Sequence, residues 1–304
     1  MSAADSLRRA LPLLLVAGLG FWFLTLPRAL PGEAVEGLRG DPVRGERVFN
    51  LGGCAACHAA PGAEGAARLV LSGGQRFPSP FGTFVAPNIS PDPEAGIGGW
   101  RTIDLVNAMR FGTAPDGSHY YPAFPYTSYS RVPLSEIVDL KAYLDTLPPS
   151  NVASLPHEVG FPFNIRRGIG LWKRLFLRPG ASPAPPAGPA ELTELAARGQ
   201  QLVTGLGHCA ECHTARGPFG QLDMSAWMAG APDPRGRGRI PPLRPGKGGL
   251  NWSAQDIEFY LKSGLTPEYD TASGSMVEVI EGTAKLSDAD RRAIAAYLKA
   301  LPPL

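Results

Sequence analysis

Two pentapeptides constrain this chain more than any other feature: Cys54-Ala55-Ala56-Cys57-His58 and Cys209-Ala210-Glu211-Cys212-His213. They contain all four cysteines of the 304 residues, so none is left for a structural disulfide. Two thiols three positions apart can add to both vinyl groups of one haem, and the histidine that follows reaches the iron as proximal ligand. A Cys-x-x-Cys pair alone would fit zinc or a redox disulfide. A four-cysteine zinc site would have to join ligand pairs from different halves of the chain. The motifs therefore predict two covalently attached haem c groups. Cys54, Cys57, Cys209 and Cys212 are the attachment residues, and His58 and His213 the proximal ligands.

Each motif opens one of two similar halves. A helix-like segment leads into it, Gly45-Glu46-Arg47-Val48-Phe49 in one half and Arg198-Gly199-Gln200-Gln201-Leu202 in the other. A long loop region rich in glycine and proline then runs to Trp100 or Trp252, and a helix follows, Ile103 to Phe111 or Ile257 to Ser263. Each half closes with a helix ending in Tyr143-Leu144 and Leu147-Pro148-Pro149, or Tyr297-Leu298 and Leu301-Pro302-Pro303. Apolar positions such as Ile137, Leu140, Ala142 and Leu144 have helical spacing, and no period-two run is long enough to require a sheet. This order of helix, haem motif, loop, helix, ligand loop and helix is the layout of a cytochrome c domain, and it occurs twice. The expected fold is all-α: two tandem cytochrome c domains, residues 38–150 and 191–304, after an N-terminal transmembrane helix. Residues 151–190 join them and end in the proline-rich run 181–190, read as a stiff linker. The basic, aromatic segment from Phe161 to Leu177 is expected to pack across both domains and set the distance between the haems. A membrane surface or a partner protein is its alternative role.

The transmembrane expectation rests on residues 1–31. Arg8-Arg9 precedes an apolar stretch from Ala10 to Pro27, near the lower limit for spanning a bilayer. Aromatic Phe21-Trp22-Phe23 near its end, with no Ala-x-Ala after it, favours an uncleaved anchor over a cleaved signal. The double arginine then stays cytoplasmic and the haem domains lie in the periplasm of a bacterial inner membrane. With 44% hydrophobic and 18% charged residues the chain is globular, and a net charge of +2 argues against nucleic acid.

The repeat locates the sixth ligands. Trp100 recurs as Trp252, Gly112 as Gly264, Pro115 as Pro267 and Leu134 as Leu286, each 152 residues on (252 − 100), with no gap. Within that window Met276, in Gly274-Ser275-Met276-Val277-Glu278, is placed to give the second haem a thioether and raise its potential. A core methionine is the alternative. The matching position in the first half is Phe124, which cannot bind iron. The first haem then either takes another ligand or stays five-coordinate. His119 on the same loop is the nearest donor, Met109 the second, and a surface or propionate-contacting histidine is the alternative reading of His119.

The two motifs, Ala86-Pro87-Asn88-Ile89-Ser90-Pro91-Asp92, Tyr121-Pro122-Ala123-Phe124-Pro125-Tyr126-Thr127-Ser128-Tyr129 and Gly274-Ser275-Met276-Val277-Glu278-Val279 carry a resemblance. From about residue 38 to the end, the chain resembles the cytochrome c subunits of membrane-bound bacterial alcohol and gluconate dehydrogenases. Members of that family often carry a ligating methionine where this chain has Phe124. The resemblance implies a non-enzymatic, electron-transferring chain. It would take electrons from a periplasmic dehydrogenase and pass them toward quinone or a terminal oxidase. A dihaem peroxidase-like enzyme using an open first haem is the alternative. A haem-gas sensor ranks last, because no signalling module is present.

Overall fold

The computed structural model describes residues 3–180, 192–234, 236 and 238–304; the proline-rich run 181–190 lies outside the described residues. Its first helix, α1 (Ala3–Leu24), corrects the expectation of a transmembrane span. No helix among the described residues is long and apolar enough to cross a membrane. The reason is where α1 stops. Thr25 turns its hydroxyl back onto the Phe21 carbonyl at 2.7 Å, and the chain leaves the helix there, short of Pro27. The apolar part, residues 10–24, rises about 22 Å at 1.5 Å per residue, against a hydrocarbon thickness of about 30 Å. The residues beyond it dock on the first domain instead. Thr113 Oγ1 donates to the Arg28 carbonyl (2.8 Å), and Leu30 exchanges hydrogen bonds with the Asn107 side chain (2.7 and 3.1 Å).

The first domain runs through α2 (Pro42–Leu51), α3 (Cys54–His58), α4 (Thr102–Phe111), α5 (Tyr126–Tyr129) and α6 (Leu134–Leu144). α7 (Ile169–Phe176) lies between the domains. The second domain repeats the order with α8 (Glu194–Thr204), α9 (Ala210–His213), α10 (Ala254–Ser263), α11 (Met276–Thr283) and α12 (Asp288–Ala300). Side-chain caps start several of these helices. Asp41 accepts from Val43 N and Arg44 N with Pro42 at the first turn, and Ser253 with Asp256 forms a capping box on α10. The all-α expectation is corrected to a mostly helical fold: the described residues include two antiparallel hairpins, β1 (Arg76–Ser79) with β2 (Gly82–Val85) and β3 (Ala231–Pro232) with β4 (Arg239–Ile240).

In each domain the first and last helices cross in direct backbone contact. A Cβ on Gly45 of α2 would lie 2.0 Å from the Asp139 carbonyl oxygen of α6, and one on Gly199 of α8 would lie 1.8 Å from that of Ala293 in α12. Only glycine allows this approach, and both crossings use one. The contact brings Val48, Phe49 and Leu51 against Ile137, Leu140 and Leu144, and Leu202 and Val203 against Ile294, Tyr297 and Leu298, all within one apolar core shared by both domains.

The domains also meet through charge. Arg47 and Arg198 each reach both Glu136 and Asp290, at 3.1 to 3.7 Å. The segment before α7 and α7 itself touch both domains. Tyr121 Oη donates to the Phe163 carbonyl (3.0 Å), Lys173 Nζ to that of Gly112 (2.6 Å), and Trp172 Nε1 to that of Phe219 in the second domain (2.9 Å).

Candidate haem centres

The two Cys-x-x-Cys-His motifs sit at one address in the two domains, immediately after the first helix of each crossing pair. None of their cysteines is joined in a disulfide. In a helical turn, residues three and four apart share a face. Cys54, Cys57 and His58 therefore face one way, as do Cys209, Cys212 and His213. Burial pushes the unmodified Cys54 and Cys209 thiols up to about 12.

The histidines are oriented by backbone carbonyls. His58 Nδ1 lies 2.8 Å from the Pro87 oxygen, and His213 Nδ1 lies 2.7 Å from the Pro241 oxygen. A carbonyl only accepts, so in both rings Nδ1 carries the proton and Nε2 keeps its lone pair. This is how proteins orient a metal-ligating imidazole. Burial also lowers both imidazoles' affinity for a second proton. The returning loops are held on the motifs by Gly73 N donating to the His58 carbonyl (2.7 Å) and Gly230 N to that of His213 (2.9 Å). Both glycines have positive φ, 74° and 83°. A Cβ would strike the Ala86–Pro87 backbone at 2.5 Å in the first and the Ile240 oxygen at 2.7 Å in the second. The Pro87 and Pro241 carbonyls escape sequence reading as functional groups. The available signal is a proline at nearly the same distance after each motif histidine.

The donor set fits a covalently bound haem: two thiols and one imidazole per domain, each imidazole with a free Nε2. Among the described residues no group of three or more His, Cys, Asp or Glu is arranged to hold a bare metal ion. Tyr126 Oη, fully buried, has no hydrogen-bond partner in the protein, as expected where a bound group supplies one.

The opposite loops match hydrogen bond for hydrogen bond. Thr113 bridges His119 as Leu265 bridges Thr271. Tyr120 N donates to Gly112 O and Ala272 N to Gly264 O, both at 2.7 Å. Phe124 N donates to Tyr121 O at 3.1 Å and Met276 N to Ser273 O at 3.2 Å. Phe124 and Met276 thus occupy equivalent backbone positions, and both pack against the core.

His119 is turned elsewhere. It is 3% exposed, with Nε2 at 2.9 Å from the Thr25 oxygen and Nδ1 at 3.1 Å from Lys173 Nζ. One tautomer satisfies both: Nε2–H donates to Thr25 and Nδ1 accepts from Lys173. Burial, then the charges of Lys173, Arg167 and Arg166, keep this ring neutral. Met109 is buried in α4 within the core. His157 Nδ1 accepts from Val85 N (3.1 Å), and His208 packs its ring on Tyr129 at 5.6 Å.

The motifs lie close together across the domain interface. Gly52 O, beside the first motif, accepts from Tyr129 Oη at 3.2 Å and lies 3.3 Å from His208 Nε2, beside the second.

The cytochrome c family model matches twice, at residues 42–148 and 196–302. The chain is 54% identical to a "Diheme cytochrome c-type" protein of Cereibacter sphaeroides, over 98% of this chain and 99% of that one. It is 37% identical to the cytochrome c subunit of alcohol dehydrogenase (quinone) of Gluconacetobacter polyoxogenes, over 86% of this chain and 56% of that one. It is 34% identical to the gluconate 2-dehydrogenase cytochrome c subunit of Pantoea cypripedii, over 85% and 59%. The chain thus spans somewhat more than half the length of these dehydrogenase subunits. Such relatives give the peroxidase alternative no support. With a family match in each half and a dihaem relative along nearly its whole length, the chain belongs to the cytochrome c family and is an electron-transfer protein with two covalently bound haem c groups.

Proposed function

We propose that this chain accepts electrons from a periplasmic dehydrogenase and passes them toward quinone or a terminal oxidase in a respiratory chain. The names of the dehydrogenase cytochrome subunits to which it is similar support this direction and partner. Cys54 and Cys57 attach the first haem and Cys209 and Cys212 the second, with His58 and His213 as proximal ligands. The observation that carries this assignment is the paired Nδ1–carbonyl bond, which fixes the same tautomer and the same free Nε2 in both domains. Each haem supplies a one-electron ferric/ferrous couple. Met276 would complete the second haem's coordination and raise its potential. Phe124 offers the first haem nothing, and His119 does not replace it, because Thr25 and Lys173 occupy both its nitrogens. The two haems therefore differ in ligation and in potential.

Magnetic circular dichroism of the oxidised protein tests the ligation. One His/Met haem, lost in Met276→Ala, and one haem of a different type are expected. Two His/Met haems, or a bis-histidine haem abolished by His119→Ala, would refute the assignment. Rapid mixing of the oxidised protein with a substrate-loaded quinone-dependent alcohol or gluconate dehydrogenase tests the direction. Reduction of both haems that depends on the sugar acid or alcohol is expected, and haems that stay oxidised rule out such a donor.

A further inference from the structure

Glu211 stands inside the second haem motif, yet its side chain is committed to the first domain. Oε1 accepts from Thr127 Oγ1 at 2.8 Å and from Ser128 Oγ at 2.9 Å, both on α5. Oε2 accepts from Arg216 Nη2 at 2.8 Å. The side chain is 9% exposed. The Arg216 guanidinium pairs with this carboxylate, and its bonds to the two hydroxyls are charge-assisted.

The helix it grips has four residues, too few to be stable alone. α5 begins two positions after Phe124. Its aromatic side chains flank the Phe124 ring, Tyr126 at 6.3 Å and Tyr129 at 5.7 Å between centroids, while Tyr120 closes a third side at 5.9 Å. Tyr126 is fully buried and its ring packs on the Gly112 backbone so closely that a Cβ there would come within 2.5 Å of it. The second domain has no such arrangement. Ala56 stands in the first motif where Glu211 stands in the second, and α11 begins at Met276 itself.

We propose that Glu211 is a positioning residue for the first haem: it anchors α5, and through Tyr126 and Tyr129 it holds Phe124 over the sixth position, closing that iron to outside ligands. The residue that guards one haem is thereby carried by the attachment motif of the other. The proposal rests on the reading that Phe124 occupies the first haem's sixth position.

Carbon monoxide binding to the reduced holoprotein tests it, with the Met276-dependent spectrum of the second haem as internal reference. Glu211→Ala removes the anchor and copies the first motif. Loss of charge-assisted hydrogen bonds to α5 is expected to speed carbon monoxide binding at the first haem by about tenfold to a hundredfold, with the second haem's spectrum unchanged. Glu211→Gln keeps an acceptor without the charge and should fall between Glu211→Ala and the native protein. The double variant Thr127→Val/Ser128→Ala leaves the second motif intact, so it serves if Glu211→Ala does not assemble, and it should open the first haem equally. Unchanged carbon monoxide kinetics in these variants would overturn the proposal. So would a change confined to the second haem, since Glu211 would then act on its own haem only. Phe124→Met checks the underlying reading separately. A new methionine-ligated signal from the first haem upholds it, and its absence removes the reading and the proposal together.

Discussion

The two ligand loops of this protein share a backbone and differ in chemistry. From Gly112 to Phe124 and from Gly264 to Met276 the same main-chain hydrogen bonds recur, yet one loop ends in a phenyl ring and the other in a thioether. Their surroundings differ as well. The first loop is packed beneath residues 25–30 and α7, with His119 and Lys173 buried at the seam, and Phe124 sits among three tyrosines. The second loop lies open, with Tyr269 exposed in it and Val277 and Val279 exposed on the helix that follows. The backbone is therefore repeated without repeating the side chain at its end, and the loop that ends in phenylalanine is the enclosed one.

The comparison is broken most severely at what the halves share. Gly45→Ala and Gly199→Ala would each force a methyl group into the carbonyl of the crossing helix and should cost about 3 kcal/mol. Chemical denaturation measures this, and a cost below about 0.5 kcal/mol for either variant would mean that the crossing relaxes easily. Next comes the exchange of ligands. Met276→Phe makes the second loop a copy of the first, and the second haem's potential should fall by on the order of 100 mV in a spectroelectrochemical titration. An unchanged potential would show that position 276 does not touch the iron. His119→Ala separates packing from ligation. It should leave the first haem's spectrum as it is while lowering stability by about 1–3 kcal/mol, because the Thr25 carbonyl and Lys173 lose a buried partner. A shift to high spin without loss of stability would reverse that assignment.

The smallest effect separates the helices that lead into the two loops. In α4, Asp104 binds the Arg101 side chain and backbone, and those bonds hold its carboxyl below the ordinary range. A depressed folded-state value stabilises above the unfolded-state pKa of about 3.9 and is lost as pH falls through the depressed value. Asp104→Asn should cost about 1 kcal/mol at pH 7 and nothing in strong acid. A cost independent of pH would mean that the asparagine disturbs packing rather than removing a charge.

Much of this was legible in the sequence. The order of the helices, the two motifs and the alignment of Phe124 with Met276 follow from local spacing, and the loops keep that register through their hydrogen bonds. Other features were not legible. The apolar count from Ala10 to Pro27 included residues that leave the helix at Thr25, because contacts with Arg167 and His119, far away in sequence, reward that exit. His119 looked like a donor near an empty position, but nothing local announces that Thr25 and Lys173 occupy both its nitrogens. Glu211 read as a filler between two cysteines, and its partners Thr127 and Ser128 lie in the other domain.

The sequence by itself determined the covalent chemistry: which cysteines and histidines are grouped, that the grouping occurs twice, and that Phe124 stands in one half where Met276 stands in the other. These depend on residues within a few positions of each other or on a constant spacing. Only the tertiary structure decided which side chains are spent before a ligand arrives, where α1 ends, and how one haem motif grips the other domain. Those outcomes depend on hydrogen bonds between groups more than 50 residues apart, such as Thr127 with Glu211, Thr25 with His119 and Lys173 with His119. Such bonds leave no periodic trace in the chain.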